Sequence, residues 1–280
     1  MGGVTVTSGS PPASDVALRP YRRHWLAVAG VALIAVSLLP PLGELARRYL
    51  FAESIQFCVF AMAGPALIVL GAPWRLLHLS QAEPSGARDT GPGPADRLAA
   101  GRRRHPSSLR PAFYLAAFIG VCFIWRWPGV LDELARHPWL IAAELVTLFA
   151  AGTGLWLELV TSPPFRPRLG RPHRAVLATL AMWFIWGAGY VLGFFHAAVV
   201  HAYDPAGGWL GTVADQEVTA GLLWAIAGFC FVPVIYMAML AWLRDGDDLG
   251  EEVRGGSGPD GRITVRGWDR PARHRGRRSA

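Results

Sequence analysis

The segment Leu50–Trp74 constrains this chain more than any other, because it is long and almost wholly apolar. About 20 apolar residues in a helix are enough to cross the hydrocarbon core of a bilayer. The segment exceeds that length, and Gly71-Ala72-Pro73 near its end stops a helix. Its first two turns nevertheless carry Glu53 and Gln56. A polar start on a spanning helix predicts that neighbouring helices surround a polar site at that end.

The composition of the whole chain favours a membrane protein. It is 52% hydrophobic and only 17% charged, with a mean hydropathy of +0.30. The charged residues fall in short blocks between long apolar segments, whereas a soluble domain intersperses them. These segments predict an all-α fold, a polytopic transmembrane helix bundle of about six spans: His24–Leu42, Leu50–Gly71, Pro111–Leu131, Trp139–Val160, Arg174–Ala198 and Val218–Leu243.

The polar stretches define the domain organisation. Residues 1–20 are rich in Gly, Ser and Pro and predict a disordered cytoplasmic arm, and residues 21–244 hold the bundle. A cytoplasmic linker at 75–110 interrupts the bundle and is expected to carry a short surface helix near Ala95–Arg104. Residues 245–280 predict a disordered, Arg/Gly-rich cytoplasmic tail.

The arginines predict the orientation. All 27 basic residues are arginine, and all but four lie before the first span, in the linker, between the fourth and fifth spans, or after the last. The positive-inside rule therefore places both termini in the cytoplasm, N-in and C-in. The same rule explains the net charge of +7 without nucleic acid as a partner, and anionic lipids are the expected contact of the linker.

With this orientation, most of the polar residues in or beside the spans gather at the outer end, with Glu158 as the clearest exception. Any one such residue is explained well enough by a helix cap or by a side chain that reaches the interface. Their coincidence at one end predicts a shared polar site, with Glu53, Arg126, Glu144 and Asp215 in one solvent-reachable cavity. Gly221 is expected to allow close approach of another helix. The candidate site residues are Glu53, Gln56, Arg126, Glu144, His196, His201, Asp215, Gln216 and Glu217.

Catalytic and metal-binding motifs are weak or absent. No nucleotide fingerprint, HExxH or hydrolase triad is found, so an enzyme is not indicated. The three cysteines lie in apolar segments without a CxxC, which favours buried thiols over disulfides. His196 and His201 are five residues apart and point in different directions on a continuous helix, so structural or interfacial roles are favoured. With Glu53, they are the weak candidates for a metal.

Three stretches resemble the CtaG-like cytochrome c oxidase assembly factors. The resemblance covers about residues 24–243, in the order found in that family, and the Asp-Gln stretch is its most specific part. The matching residues are Leu50-Phe51-Ala52 with Gln56 and Gly64–Pro73; Trp125–Leu131 with His137-Pro138; and Asp215-Gln216 with Gly221-Leu222-Leu223-Trp224.

The resemblance implies a multi-pass protein of the bacterial inner membrane that assists maturation of a haem–copper oxidase. The implied step is copper supply, so copper is the metal to expect. The implied partners are cytochrome c oxidase subunits or other assembly factors in the membrane.

The chain departs from the family at the implied copper ligands. The family carries two histidines four residues apart in the second span, where this chain has Glu53 and Phe57. A second such pair, in the fourth span, aligns with Ile141 and Leu145. Copper(I) prefers thiolate, thioether or imidazole ligands. These differences predict an assembly factor that acts by protein contact with weakened or lost metal handling, or one that uses a different set such as Glu53, His196 and His201.

Two other functions remain open from the sequence. A membrane transporter or metal-ion channel could use the outer polar residues as its entry site, and broken helices near mid-membrane would favour it. Most of the strong helix breakers lie near helix ends instead, with Pro65 and Pro233 as exceptions. A haem-holding redox enzyme would need inward-facing histidines on different helices, and only the fifth span offers outer histidines.

Overall fold

The computed structural model describes residues 24–75, 93–104, 109–194, 200, 203 and 210–255; side chains are described as far as 244, except those of Arg75 and Pro138. The predicted arm at 1–20 lies outside these ranges. The described chain is helical and contains no strand beyond one isolated bridge, Ser162 with Phe165. Its helices are α1 His24–Leu38, α2 Pro40–Leu45, α3 Leu50–Cys58, α4 Gly64–Gly71, α5 Pro94–Arg104, α6 Arg110–Trp125, α7 Pro128–Arg136, α8 Pro138–Leu159, α9 Arg171–Phe194 and α10 Thr212–Gly255.

Four helical segments are long and apolar enough to cross a membrane: Leu50–Gly71, Trp139–Leu159, Arg171–Phe194 and Thr212–Arg244. Helices α6 and α7 make a fifth if they count as one span, although they are bent by 64°. Helix α1 is apolar but has only 15 residues. The predicted all-α membrane-type bundle is confirmed, whereas six spans and the N-in/C-in orientation stay predictions.

The segment Leu50–Gly71 is the most enclosed candidate span. In its apolar stretch of 18 residues, 72% is buried inside the protein, against 22% to 44% for the corresponding stretches of the other three. Helices α3 and α4 are joined by a π-helical turn, Val59–Ala63, in which the Gly64 N–H bonds the carbonyl of Val59 five residues back. Pro65 follows at once and has no N–H to donate, which favours such an irregular turn. Helix α1 packs along α4, α10 along α3, and α8 against the π-turn.

Glycines set the closest helix approaches, though not where the sequence suggested. A side chain on Gly152 would collide with the Ala61 carbonyl of the π-turn, and one on Gly71 with the backbone of Ala27. On α9, a Cβ at Gly189 would lie 2.8 Å from the Trp224 ring of α10. The prediction for Gly221 is wrong, because nothing lies within 4 Å of a Cβ at that position. Gly221 instead lines an open groove, together with Gly189 and Trp224.

The structure agrees only in part with the predicted linker, tail and third span. The predicted surface helix near Ala95–Arg104 is confirmed as α5, which buries Ala95 and Ala99 against Phe165. Helix α10 continues to Gly255, so the predicted tail begins inside a helix, and residues 256–280 lie outside the described residues. The predicted third span, Pro111–Leu131, is bent, because α6 ends at Trp125, with Arg126 as its C-cap, and Pro128 starts α7.

An apolar layer separates the two ends of the bundle. Trp156 of α8 stacks on Phe231 of α10 with ring centroids 5.4 Å apart, and Phe118 of α6 meets Phe231 edge-on at 6.4 Å. Phe57 belongs to the same core. The described buried charges lie on either side of this layer: Glu53, Arg126, Glu144 and Asp215 at one end, and Glu158 at the other. We call these the Glu53 end, predicted to be outer, and the Glu158 end, predicted to be inner.

Replacing Gly152 by alanine is expected to destabilise the bundle, because the added methyl meets a backbone carbonyl that cannot move without disturbing the π-turn. Overpacking of this kind costs about 1–3 kcal/mol. The midpoint of thermal unfolding in detergent should fall for Gly152→Ala. Gly187→Ala is the matched control, since nothing lies within 4 Å of a Cβ there. Equal midpoints for the two variants would contradict the close packing of α8 on the π-turn.

Candidate functional site at the Glu53 end

A buried ion pair is the centre of the Glu53 end. Glu53 lies in the first turn of α3, and Arg126 occupies the bend between α6 and α7. The guanidinium donates two parallel hydrogen bonds to the carboxylate, Nη1 to Oε2 and Nη2 to Oε1, both 2.9 Å. Nη1 also donates to Ser54 Oγ at 2.8 Å, and the guanidinium carbon lies 3.9 Å from the centre of the Phe57 ring. Bidentate geometry and an aromatic face are what stabilise a desolvated arginine.

A second carboxyl group lies beside this pair without a cation of its own. Glu144 of α8 is 2% exposed and interacts with both Glu53 and Arg126. Its Oε1 atom has no hydrogen-bond partner among the described residues. The cluster therefore holds two acidic groups and one basic group. Because buried like charges repel strongly in a medium of low dielectric constant, this arrangement favours a further positively charged or hydrogen-donating group beside the two carboxyl groups.

Glu144 and Glu53 line a cavity of about 400 Å³. Gln56 and Arg47 contribute the other polar groups of its wall, together with the buried phenol of Tyr203. Burial raises the pKa of the Tyr203 phenol well above its usual value, so the phenol remains a hydrogen-bond donor. The rest of the lining is small or apolar: Leu38, Gly43, Ala46, Leu134, Ala135, Ile141, Ala142 and Leu145. The arrangement suits a ligand with an apolar body and a positive or hydrogen-donating tip.

Gln56 also has a structural role. Its Nε2 donates to the Ser37 carbonyl at 2.6 Å, and Ser37 lies in the last turn of α1. The last carbonyls of a helix have no partner within the helix, so this bond satisfies one of them. Gln56 thereby holds the end of α1 at the rim of the cavity.

Asp215 stands beside the cavity rather than in its wall. Its two carboxylate oxygens accept hydrogen bonds from the backbone N–H groups of Leu50 and Phe51, at 2.7 and 2.8 Å. These are the first residues of α3, so Asp215 caps a helix 165 positions away in the chain and complements its dipole. An aspartate at the start of a helix commonly caps that same helix, which here is α10. The observed cap instead joins α10 to the helix that carries Glu53.

The other predicted site residues are dispersed. Gln216 is buried, and its Nε2 donates to the Leu192 carbonyl of α9 at 2.7 Å. Glu217 is exposed. His196 and His201 lie outside the described residues. The structure therefore brings Glu53, Gln56, Arg126 and Glu144 together, and Asp215 supports them from behind.

A second charged cluster, at the Glu158 end, was not predicted. Glu158 is fully buried and accepts hydrogen bonds from Arg102 of α5 and Arg110 of α6. The signal was present, because a carboxylate inside a spanning segment needs a cationic partner. Which arginine supplies it could not be read from the sequence, since the linker holds several.

Comparison with protein families gives a match over residues 12–245 to the cytochrome c oxidase caa3 assembly factor family, CtaG. The chain belongs to this family. No curated protein and no solved structure shows a match. The resemblance inferred from the three stretches is confirmed, and it identifies the chain as a cytochrome c oxidase assembly factor of the CtaG family.

The structure brings together the four positions at which the family resemblance implies histidines. Glu53, Ile141 and Leu145 line the cavity, and Phe57 contacts Arg126 at its base. The residues at these four positions do not fit copper(I), because both Glu53 oxygens are bound to Arg126 and the other three positions are apolar. Among the described residues, no group of three His, Cys, Asp or Glu side chains could hold a metal ion.

Removing one partner of the ion pair is expected to be far worse than removing both. Arg126→Met leaves Glu53 and Glu144 buried without a cation, a change that costs about 3–5 kcal/mol. The double variant Glu53→Leu/Arg126→Met should recover much of that loss, because no desolvated charge of the pair remains. Thermal unfolding in detergent of the wild type, Glu53→Leu, Arg126→Met and the double variant, analysed as a double-mutant cycle, measures the coupling. Additive losses would contradict a mutually dependent pair.

Asp215→Ala is expected to lower stability by about 2 kcal/mol, since two backbone N–H groups of α3 lose their acceptor in a buried place. Asp215→Asn should lose less, because the amide oxygen can still accept a bond. Glu217→Ala is the control, two residues along the same helix and exposed. The measurement is again the thermal midpoint in detergent, and a fall as large for Glu217→Ala would refute the capping role.

Proposed function

We propose that this CtaG-family protein is a non-catalytic, multi-pass protein of the bacterial inner membrane that assists maturation of a cytochrome c oxidase, and that the cavity at the Glu53 end is its working face. Family membership supports the assembly role. One observation supports the location: the positions of the implied family histidines line or underlie a single cavity of about 400 Å³.

The chemistry of the cavity suggests how it acts. Glu144 presents a buried carboxyl oxygen without a partner to a largely apolar pocket. A client segment with a positively charged or hydrogen-donating side chain would satisfy that oxygen while it buries apolar surface. We therefore propose that the protein binds an oxidase subunit or another assembly factor directly. The step served is proposed to be copper insertion, without the described residues binding the metal.

The transport alternative has less support. A carrier or channel would place its substrate site near mid-membrane. In the described helices the buried charges lie toward the two ends of the bundle, with the aromatic layer around Phe231 between them. Pro233 lies within α10 but the helix continues through it. A scaffold with a working face at one end agrees better with these features.

Deletion of the gene from its source organism is expected to lower cytochrome c oxidase activity and the haem absorbance of the assembled oxidase in membranes. The wild-type gene and Glu217→Gln should restore both. Glu144→Gln, present at the same level by immunoblot, should restore roughly ten-fold less activity, as loss of a charged hydrogen bond at an interface predicts. Glu144→Gln keeps the side-chain volume, so a folding defect is not its expected effect.

The outcomes separate the parts of the proposal. Unchanged oxidase in the deletion strain would refute the assembly role, and full restoration by Glu144→Gln would refute the cavity as working face. Added copper that restores oxidase in the deletion strain would support action at copper supply, and failure of copper would point to another step. Copper(I) affinity of the purified protein, beside Glu53→Ala and His196→Ala, tests whether a rebuilt ligand set exists.

A further inference from the structure

The Glu158 end contains a cavity that the assembly role does not use. Glu158, the penultimate residue of α8, accepts hydrogen bonds from Arg102 Nη2 at 2.6 Å and Arg110 Nε at 2.7 Å on the same oxygen. Its other oxygen accepts Arg110 Nη2 and the backbone N–H of Arg168, both at 3.4 Å. A single buried carboxylate thus organises three segments: α5, the start of α6, and the connection between α8 and α9.

Arginine is in large excess over acid here. A cavity of about 210 Å³ is lined by Arg102, Arg103, Arg110, Arg166 and Arg168, with Ala99, Pro164 and Phe165 completing the wall. In the described chain no acidic side chain pairs with Arg103, Arg166 or Arg168. Of these five, Arg102 and Arg110 are half-buried, and Arg103, Arg166 and Arg168 are exposed. Glu158, the carboxylate that holds Arg102 and Arg110, is already fully engaged. A concentration of positive charge of this kind attracts an anion.

Two of the arginines are held in place before any ligand arrives. The Arg102 guanidinium carbon lies 5.4 Å from the Tyr114 ring centre and 5.7 Å from that of Phe165. Arg110 Nη1 donates to the Arg102 carbonyl at 3.1 Å, in addition to its bonds with Glu158. Each guanidinium carries five N–H donors, so these contacts leave donors for a further acceptor. Preorganisation reduces the entropy lost when a ligand binds.

We propose that this arginine cavity binds a phosphate group, carried either by the headgroup of an anionic phospholipid or by a soluble phosphate. A tetrahedral phosphate offers oxygens in several directions, each of which can accept a fork of N–H donors, and it bears more charge than a carboxylate. The cavity is small enough for one such group. Glu158 does not compete with the ligand, because its role is to position Arg102 and Arg110.

The surroundings agree with a headgroup source. Phe165 packs edge-on against Trp74, and aromatic side chains of this kind mark the membrane interface. Arginine-rich segments on the predicted inner side are attracted to anionic lipid. The inference is independent of the proposed function, since it concerns the opposite end of the bundle and cargo of opposite charge to that suited to the Glu144 cavity.

The test uses the purified full-length protein in detergent with fluorescent phosphatidic acid as the probe. Arg103→Gln/Arg166→Gln removes two lining charges that do not contact Glu158. Arg48→Gln/Arg104→Gln removes two exposed charges, one at the opposite end and one adjacent on α5, and is the matched control. We expect the dissociation constant to rise about ten-fold in the first variant and less than about two-fold in the second. Thermal midpoints should stay equal, since neither variant touches the Glu158 contacts.

If both variants weaken phosphatidic acid binding equally, the proposal is overturned in favour of diffuse attraction by surface charge. Binding of phosphatidylcholine as tight as that of phosphatidic acid would overturn it too. Failure of the wild-type protein to bind phosphatidic acid, inorganic phosphate or glycerol 3-phosphate would overturn it entirely. Displacement of the lipid probe by inorganic phosphate would support a soluble source. Resistance to that displacement would support the lipid headgroup as the ligand.

Discussion

A charge buried among apolar helices must be paired, and in this protein each such pairing joins parts of the chain that are far apart in sequence. Glu53 binds Arg126 across 73 positions, and Glu158 binds Arg102 across 56. Asp215 reaches back 165 positions to the start of α3. Apolar contacts between helices tolerate sliding, whereas these directional contacts do not. The pairings therefore determine which helix ends meet, and the cavities form where they meet.

The two ends of the bundle differ in their buried charges. At the Glu53 end, two buried carboxyl groups lie beside one buried guanidinium; at the Glu158 end, five arginines line a cavity beside one buried carboxylate. The aromatic layer around Phe231 lies between the two sets, so they do not pair with each other. The partners proposed for the two ends are accordingly unlike. Neither recognition requires a path through the centre.

The sequence predicted the helices better than their contacts. Long apolar segments were sufficient to predict a membrane-type helix bundle, because apolar length is a local property. The 64° bend at Pro128 was not predicted, since the segment from Pro111 to Leu131 was predicted as one span. The polar end was predicted from the direction in which each span crosses the membrane and from the position of its polar residues along the span. These place Glu53 and Glu144 near the same membrane surface. Which face each helix presents depends on packing, so the bonds from Asp215 to α3 and the empty side of Gly221 could not be foreseen. The arginine partners of Glu158 could not be predicted for the same reason, because the linker contains several arginines that the sequence does not distinguish.

The residues that replace the family's implied histidines form a mutually compatible set. A glutamate introduced alone into a buried place would be strongly unfavourable. Here Arg126 pairs with Glu53 in bidentate geometry and lies on the Phe57 ring, so two of the departing positions form one electrostatic unit with the arginine. Ile141 and Leu145 form an apolar part of the same cavity wall. Among the described residues, this cluster leaves two buried polar atoms without a hydrogen-bond partner, Arg126 Nε and Glu144 Oε1. Glu144 lines the cavity, and its oxygen is the feature that we propose a protein partner recognises.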